Sequence, residues 1–380
     1  MSRRLERAAL AAATRSGPGR AWASRLDVIR STGLRYALHR RTEQARAREV
    51  GTHALERFYR DAWAEAADEL GAELIELEGG FHEIRRGGTT TRVWRQLSAL
   101  DEAVSLRLAL DKTIVHRLLA ARGIQVPEYL EFGHTSLEPA LLFMAEGDGG
   151  ATVVKPANGG RGGAAVTGSV RTEINLARAV LSAARLDTRL LIERQVPGEM
   201  YRLLFLDGEL VDVVLRRAPH VTGDGRSTIL ELIAHENERR LEAARPQALM
   251  TVDLDCLLAL AAAERTPRSV PGAGEPVQVK SASSENAEEE NHTVHAYAHE
   301  VIDECAEAVR AVGLRLAGVD VVTPDIGRPL AETGGAIIEV NGTPGFQYHY
   351  QVADRANATR VAIPVLERVL ETVGATARTS

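Results

Sequence analysis

The chain has 380 residues, 44% of them hydrophobic and 26% charged, with a formal net charge of −6. That length can build two or three lobes, and the composition excludes a disordered or fibrous chain. No apolar run approaches the roughly 20 residues that cross a bilayer, so neither a membrane span nor a membrane partner is expected.

In chain order, residues 1–60 carry 14 arginines against five acidic residues. Arg3–Thr14 reads as a short Ala-rich helix before the breaker Gly17-Pro18-Gly19. Leu26, Ile29, Leu34 and Leu38 then suggest an amphipathic helical extension. An organellar presequence or a nucleic-acid arm would also explain the charge, but the scattered aliphatics favour the extension, and no nucleic-acid partner is expected. No charged n-region leads into a continuous apolar stretch, so secretion is not expected either. A cytoplasmic location is.

Ala54–Leu70 has helical periodicity. Ala72–Leu77, Glu83–Arg86 and Thr89–Trp94 read as strands, the last two around the turn Gly87-Gly88. Ala109–Arg122 is a helix stopped by Gly123, and Thr152–Lys155 a strand before a glycine loop. Thr172–Ala184 is helical and Arg189–Glu193 a strand. Met200–Leu215 alternates as a hairpin around Asp207-Gly208. Ser227–Ala244 is helical, and Leu257–Ala263, broken by Glu264, reads as a buried helix. Arg265–Glu290 is rich in turns, with Glu288–Glu290 a solvated loop. Val294–Gly313 is a long helix with a glycine cap. Leu316–Val322 and Ala336–Val340 are apolar strands, and Pro364–Val373 is the last helix. Strands and helices mix without strict alternation, which predicts an α+β (mixed α/β) enzyme. Cys256 and Cys305 lie far apart with no His or Cys at zinc-ligand spacing, and read as thiols of a reducing compartment.

Several residues stand out chemically. Only three of the 46 basic residues are lysines: Lys112, Lys155 and Lys280. A lysine kept in an arginine-rich chain suits a site that needs a compact ammonium rather than a planar fork. In Ile337-Ile338-Glu339-Val340-Asn341 the side chains of Glu339 and Asn341 share one face of a buried strand. A buried carboxylate needs a partner. An arginine would serve, but a carboxylate beside an amide oxygen also suits Mg²⁺. Asp320 stands alone in the apolar strand Ala317–Val322 and could converge on the same ion if the two strands pair. The loop Lys155-Pro156-Ala157-Asn158-Gly159-Gly160-Arg161-Gly162-Gly163 follows a strand and allows close backbone approach to phosphate. It matches neither the Walker A nor the dinucleotide spacing. His292, His295 and His299 fall at helical spacing, read as a solvated helix flank rather than a metal face.

The order of these features resembles the ATP-grasp superfamily: Asp111-Lys112, Val153-Val154-Lys155-Pro156 with its loop, Leu191–Val196, Asp320 and Glu339-Val340-Asn341. Within it the chain is similar to the ATP-grasp region of cyanophycin synthetase. Gly123–Glu128, Arg217–Thr228 and Leu316–Phe346 carry that likeness, which covers roughly residues 85–370. The resemblance implies nucleotide bound between two α+β lobes, in an ATP-grasp fold preceded by a shortened N-terminal domain. It implies an extension over 1–50, a pre-ATP-grasp domain over 51–107, a lid subdomain over 108–195 and a C-terminal subdomain with the metal site over 196–375. Because the chain ends at Ser380, the second, Mur-ligase-like module of cyanophycin synthetase and its two-step polymerisation are not expected.

By the same resemblance, Lys112 and Lys155 are the two ATP-phosphate lysines and Asn158–Gly163 the flap over the β- and γ-phosphates. Glu193 is the hinge acid near the adenine amino group, and the backbones of Arg194 and Val196 complete the adenine clamp. Glu199 is the carboxylate nearest the usual ribose ligand. Asp320, Glu339 and Asn341 are the metal ligands, holding two Mg²⁺ ions for which Mn²⁺ could stand in. Arg217 and Lys280 are the catalytic cations near the transferred phosphate. The implied activity joins a carboxylate to an amine through an acyl phosphate, releasing ADP and phosphate, on amino acid or peptide substrates. Phe346, Tyr348 and Tyr350 line the acceptor pocket or simply pack. A small-molecule kinase on the same scaffold and a non-catalytic binding protein are the alternatives. The oligomeric state stays open, a homodimer being one reading.

Overall fold

The computed structural model describes residues 28–159 and 163–379, and the Ala-rich segment Arg3–Thr14 lies outside them. A single helix of 36 residues, Leu34–Glu69, runs through the boundary expected near Ala54. Its C-terminal half earns its length by packing: Tyr59, Ala62, Trp63 and Ala66 are buried against Ile84, Val93 and the closing helix Ala362–Thr379. Trp63 Nε1 donates to the Arg95 carbonyl at 2.8 Å, which satisfies the indole polar atom. Strands β1 (Glu73–Glu76), β2 (Phe81–Arg86) and β3 (Thr89–Trp94) form an antiparallel meander. Gly87 and Gly88 have φ of 54° and 84°, the left-handed pair that a two-residue hairpin turn requires.

Asp111 caps the helix Lys112–Ala120 by accepting from Ile114 N at 3.2 Å, and Gly123 (φ 73°) follows its end. A four-stranded antiparallel sheet comes next, in the order β4 (Tyr129–Gly133), β7 (Arg189–Arg194), β5 (Thr152–Pro156), β6 (Thr167–Val170). The helices Glu138–Glu146 and Glu173–Ala183 cover one face, and Val154, Ile192, Leu176 and Val180 form its solvent-free core. The other face looks onto the cleft described below.

The second sheet has the order β12 (Asn291–Thr293), β9 (Glu209–Arg216), β8 (Glu199–Leu206), β13 (Leu316–Thr323), β14 (Ala336–Asn341), with every neighbour antiparallel. Alternation gives it two buried faces. Tyr201, Leu203, Phe205, Val319 and Val321 pack on the helix His299–Val312, while Leu204, Leu206 and Leu316 pack on Trp63 and the closing helix. The long helices at the two ends of the chain therefore share one core.

Between β9 and β12 the chain makes an excursion built from the ladder β10 (His220–Thr222) with β11 (Pro276–Gln278) and the helices Ile229–Ala243 and Leu254–Ala262. Two readings are corrected here. Glu290 is no solvated loop residue: it is buried, and its carboxylate accepts from Ala287 N and His220 N at 2.5 and 2.8 Å. The helix expected from Val294 begins only at His299, because Asn291–Thr293 is drawn into the sheet as β12. His292 and His295 are consequently not on that helix. Cys256 and Cys305 are buried free thiols, and no helix among the described residues is long and apolar enough to cross a membrane.

Candidate active site

A cleft of about 1180 Å³ opens between the two sheets, floored by β8, β13 and β14 and roofed by β5, β7 and the 276–284 segment. Lys112 and Lys155 reach it from different elements that are tied together locally. Lys112 N donates to the Ala157 carbonyl at 2.9 Å, so the start of the Lys112–Ala120 helix is fastened to the end of β5. The Lys112 ammonium lies 3.1 Å from Glu339 Oε1 and donates to the Gly159 carbonyl at 3.1 Å. The Lys155 ammonium lies 2.7 Å from Glu193 Oε1. The two lysines thus face one cleft, each neutralised by a carboxylate from another strand.

Burial opposes the charge on Glu339, but Lys112 and Lys155 outweigh it and hold its carboxyl below the usual range. Glu193 goes the other way. It sits deeper, and burial raises its carboxyl despite Lys155. His116, on the same helix as Lys112, is pushed down to about 3 by burial and by Lys155 and Lys112, and so is neutral at physiological pH.

The register settles whether the two candidate metal strands meet. Asp320 on β13 is directly opposite Glu339 on β14, so their side chains share a face. Asp320 is clamped by Arg202 from β8, Nε to Oδ1 at 2.5 Å and Nη2 to Oδ2 at 2.9 Å. Asn341 spends its amide nitrogen on Asp320 Oδ2 (3.2 Å) and the Gly318 carbonyl (3.3 Å), leaving its carbonyl oxygen as the atom for a cation. No group of three or more His, Cys, Asp or Glu among the described residues forms a closed metal cage. Two carboxylates and an amide do fit Mg²⁺, which keeps most of its octahedral positions for water and phosphate oxygens.

The remaining expected residues divide. Gly159 lines the cleft, and beside it Asn158 N donates to Asp187 while Asn158 Oδ1 accepts from Arg107. Gly160, Arg161 and Gly162 lie outside the described residues. Gly163 approaches Ser284 so closely that an added Cβ would come within 2.4 Å of its hydroxyl, so Gly163 abuts the 276–284 segment. Arg194 and Val196 line the cleft, but the Arg194 side chain turns away to stack on Phe143 at 4.1 Å, and its N–H is given to the Glu128 carbonyl. Glu199 opens β8, exposed at the cleft wall. Arg217 is exposed and lines the cleft.

Lys280 does not join this group. Its buried ammonium binds Asp253 (2.8 Å), Thr251 (3.2 Å) and Glu285 (3.4 Å), which makes it a strut of the excursion. Three site residues escaped sequence reasoning: Arg202, Arg216 and His220, whose ring lies 2.7 Å from Glu290. A lone arginine in the apolar run Met200–Leu206 is itself a signal, since a buried guanidinium demands a carboxylate.

No family model matches the chain. Over 298 residues it is 30% identical to a cyanophycin synthetase of Trichormus variabilis, covering 76% of this chain and 32% of that protein. Over 291 residues it is 32% identical to the cyanophycin synthetase of Geminocystis herdmanii (74% and 32%). The glutathione biosynthesis bifunctional protein GshAB of Mannheimia succiniciproducens is 28% identical over 287 residues (73% and 37%). The chain thus spans about a third of the length of the curated relatives it matches. Among solved structures, a bifunctional glutathione synthetase from Pasteurella multocida shares the fold, with a TM-score of 0.53 and 23% identity over 84% of this chain and 46% of that one.

Proposed function

We propose that this chain, which has the ATP-grasp fold and is related to the cyanophycin synthetases, is an ATP-dependent carboxylate–amine ligase acting on amino acids or peptides. The observation that carries the reading is one juxtaposition: Lys112, Lys155, Asp320 and Glu339, from four separate segments, face a single cleft between two sheets.

The reaction follows from what these groups can do. A substrate carboxylate attacks the γ-phosphorus of ATP, the bond to ADP breaks, and an acyl phosphate forms. An amine then attacks the acyl carbon and expels phosphate, losing a proton as the amide forms. Lys112 and Lys155 would exchange their carboxylate partners for phosphate oxygens, offsetting the crowding of negative charge. Asp320, Glu339 and the Asn341 carbonyl would hold Mg²⁺, which when bound neutralises phosphate oxygens and orients the terminal phosphate. Arg202 keeps the Asp320 carboxylate fixed in direction. Glu193 and the backbone around Val196 would receive the adenine edge, Glu199 the ribose, and the 158–163 loop would close over the phosphates. Arg217, exposed on the cleft wall, is free to meet the acyl phosphate, a role that the burial of Lys280 argues against for that lysine.

Hydroxylamine trapping tests the reading. ATP, Mg²⁺, a panel of amino acids and hydroxylamine should yield a hydroxamate together with ADP. A phosphorylated alcohol and no hydroxamate would make the protein a kinase. Neither product would leave a binding protein.

A further inference from the structure

At neutral pH an aliphatic amine arrives as an ammonium, which has no lone pair with which to attack. A cleft that forms amides therefore needs a proton acceptor near the acyl carbon. Most of the titratable groups in this cleft are otherwise engaged. Lys112, Lys155, Arg202 and Arg217 are cations, and Arg216 is another, lying 3.9 Å from the centroid of the Tyr348 ring. Glu193 holds Lys155, Glu339 holds Lys112, Asp320 is clamped by Arg202 and Glu275 binds Arg265. Glu199 opens β8, where the ribose is proposed. His220 is left, the only histidine among the described residues that line the cleft.

The surroundings of His220 suit a base. It starts β10 opposite Gln278 of β11, and side chains alternate along a strand, so its ring lines the cleft while Val221 enters the core beneath. Glu290 holds it twice: Oε1 accepts from the His220 backbone N at 2.8 Å and lies 2.7 Å from the ring Nδ1. The other oxygen of Glu290 accepts from Ala287 N at 2.5 Å, so the carboxylate is buried and fixed. An Nδ1–H given to Glu290 sets the tautomer and leaves the lone pair on Nε2, on a side chain that is 42% exposed. The other charged groups around the ring are Arg217 and, from the helix Ile229–Ala243, Glu236, which is itself paired with Arg239 and Arg240. The Glu290 hydrogen bond outweighs burial and Arg217 and raises the imidazole above its ordinary value, closer to that of an amine.

Resting on the ligase reading, we propose that His220, oriented by Glu290, is the general base that deprotonates the attacking amine. An ammonium sheds two protons in becoming an amide nitrogen. Nε2 takes the first and frees the lone pair. The amine then attacks the acyl carbon, the C–O bond to phosphate breaks, and the second proton leaves with the phosphate. The imidazolium, stabilised by the Glu290 carboxylate, returns its proton to water from its exposed edge. Arg217, proposed to meet the acyl phosphate, comes from the same short segment of chain, which brings base and leaving group to one wall of the cleft.

The test sets two nucleophiles against the same acyl phosphate. Hydroxylamine is largely uncharged at neutral pH and needs no base, whereas the amino group of an amino acid does. Wild type, His220→Gln and Glu290→Gln, each as the intact chain with ATP and Mg²⁺, are given the standard amino acids with and without hydroxylamine. Amide and hydroxamate are quantified from pH 6 to 10. Expected in His220→Gln is an amide-to-hydroxamate ratio lower by about a hundredfold or more at pH 7, recovering as pH rises and the amine loses its proton unaided. In Glu290→Gln the imidazole is no longer raised, so the acid limb of kcat for amide formation should move to lower pH. If Glu290→Gln does not fold, the His220→Gln ratio alone decides.

Three results overturn the base: an unchanged ratio in His220→Gln, an equal loss of both products, as a structural histidine would give, or hydroxamate from wild type without amide from any amino acid. In each of them wild type still forms hydroxamate, so the acyl-phosphate step stands while the base falls. No hydroxamate from wild type removes the ligase reading instead, and this inference with it.

Discussion

Arg202 and Asp320 form a two-armed ion pair across β8 and β13, and both residues are buried. Removing one arm leaves a charge with no partner in a place where water cannot reach it. Arg202→Met should therefore cost about 3–5 kcal/mol of stability, read by denaturant unfolding. The double replacement Arg202→Met with Asp320→Asn should recover much of that loss while staying inactive. If Arg202→Met is as stable as wild type, the pair is not the fixture described.

Lys112 and Lys155 differ in what they leave behind. Lys155→Met strands the buried Glu193, which can answer by taking up a proton, so the protein should fold with modest loss. Lys112→Met strands Glu339, which is about a third exposed to the cleft and can be hydrated. Both should lose nucleotide affinity by about tenfold or more, as expected for losing a charge-assisted contact to phosphate. Fluorescent-nucleotide titration checks this, and unchanged affinity in both variants would contradict the assignment.

His116 gives the protein a specific response to acid. Its folded value of about 3 lies below the ordinary value near 6.5. As pH falls through 6.5 the unfolded chain takes up a proton that the folded chain refuses, so stability is lost on acidification. The slope from this group approaches about 1.4 kcal/mol per pH unit between those two values. His220 has the opposite sign: the Glu290 hydrogen bond raises it, so its contribution is present below pH 6.5 and fades as pH rises through its folded value. Unfolding series from pH 4 to 8 on wild type and His116→Leu should show a shallower acid limb in the variant. An unchanged limb would count against a neutral buried imidazole.

Gly198 links β7 to β8 at the cleft wall. Its φ is 116°, and a Cβ there would fall 2.1 Å from the Thr323 carbonyl carbon. Gly198→Ala should destabilise by more than the ~1 kcal/mol typical of a glycine replacement in a left-handed site. It should also weaken nucleotide binding, because β8 carries both Glu199 and Arg202. Thermal melting with and without ATP separates the two effects.

Much of this was legible in the sequence because local signals were strong. The Gly87-Gly88 and Asp207-Gly208 hairpins, the Gly123 stop of a helix, and the shared face of Glu339 and Asn341 all follow from short-range rules, whereas the helix expected from Ala109 starts only at Lys112. The failures share another cause. Glu290 sits in an acidic run that looks solvated, yet it is buried because the backbone N–H groups of Ala287 and His220 need an acceptor. Lys280 was expected as a catalytic cation near the transferred phosphate, but Asp253, from another element, and Glu285 hold it. Arg216 and Tyr348 meet only when the sheet is assembled. Partners fixed by tertiary contact leave no periodicity to read.

A crystal structure of the intact chain with AMP-PNP and Mg²⁺ bears most directly on the central claim. The account predicts a cation bound by Asp320 and Glu339 at about 2.0–2.1 Å, with the Lys112 ammonium moved from Glu339 to a phosphate oxygen and Lys155 turned likewise. Nucleotide bound outside this cleft, or seated in it with the Lys112–Glu339 and Lys155–Glu193 pairs intact and no cation on Asp320, would contradict it.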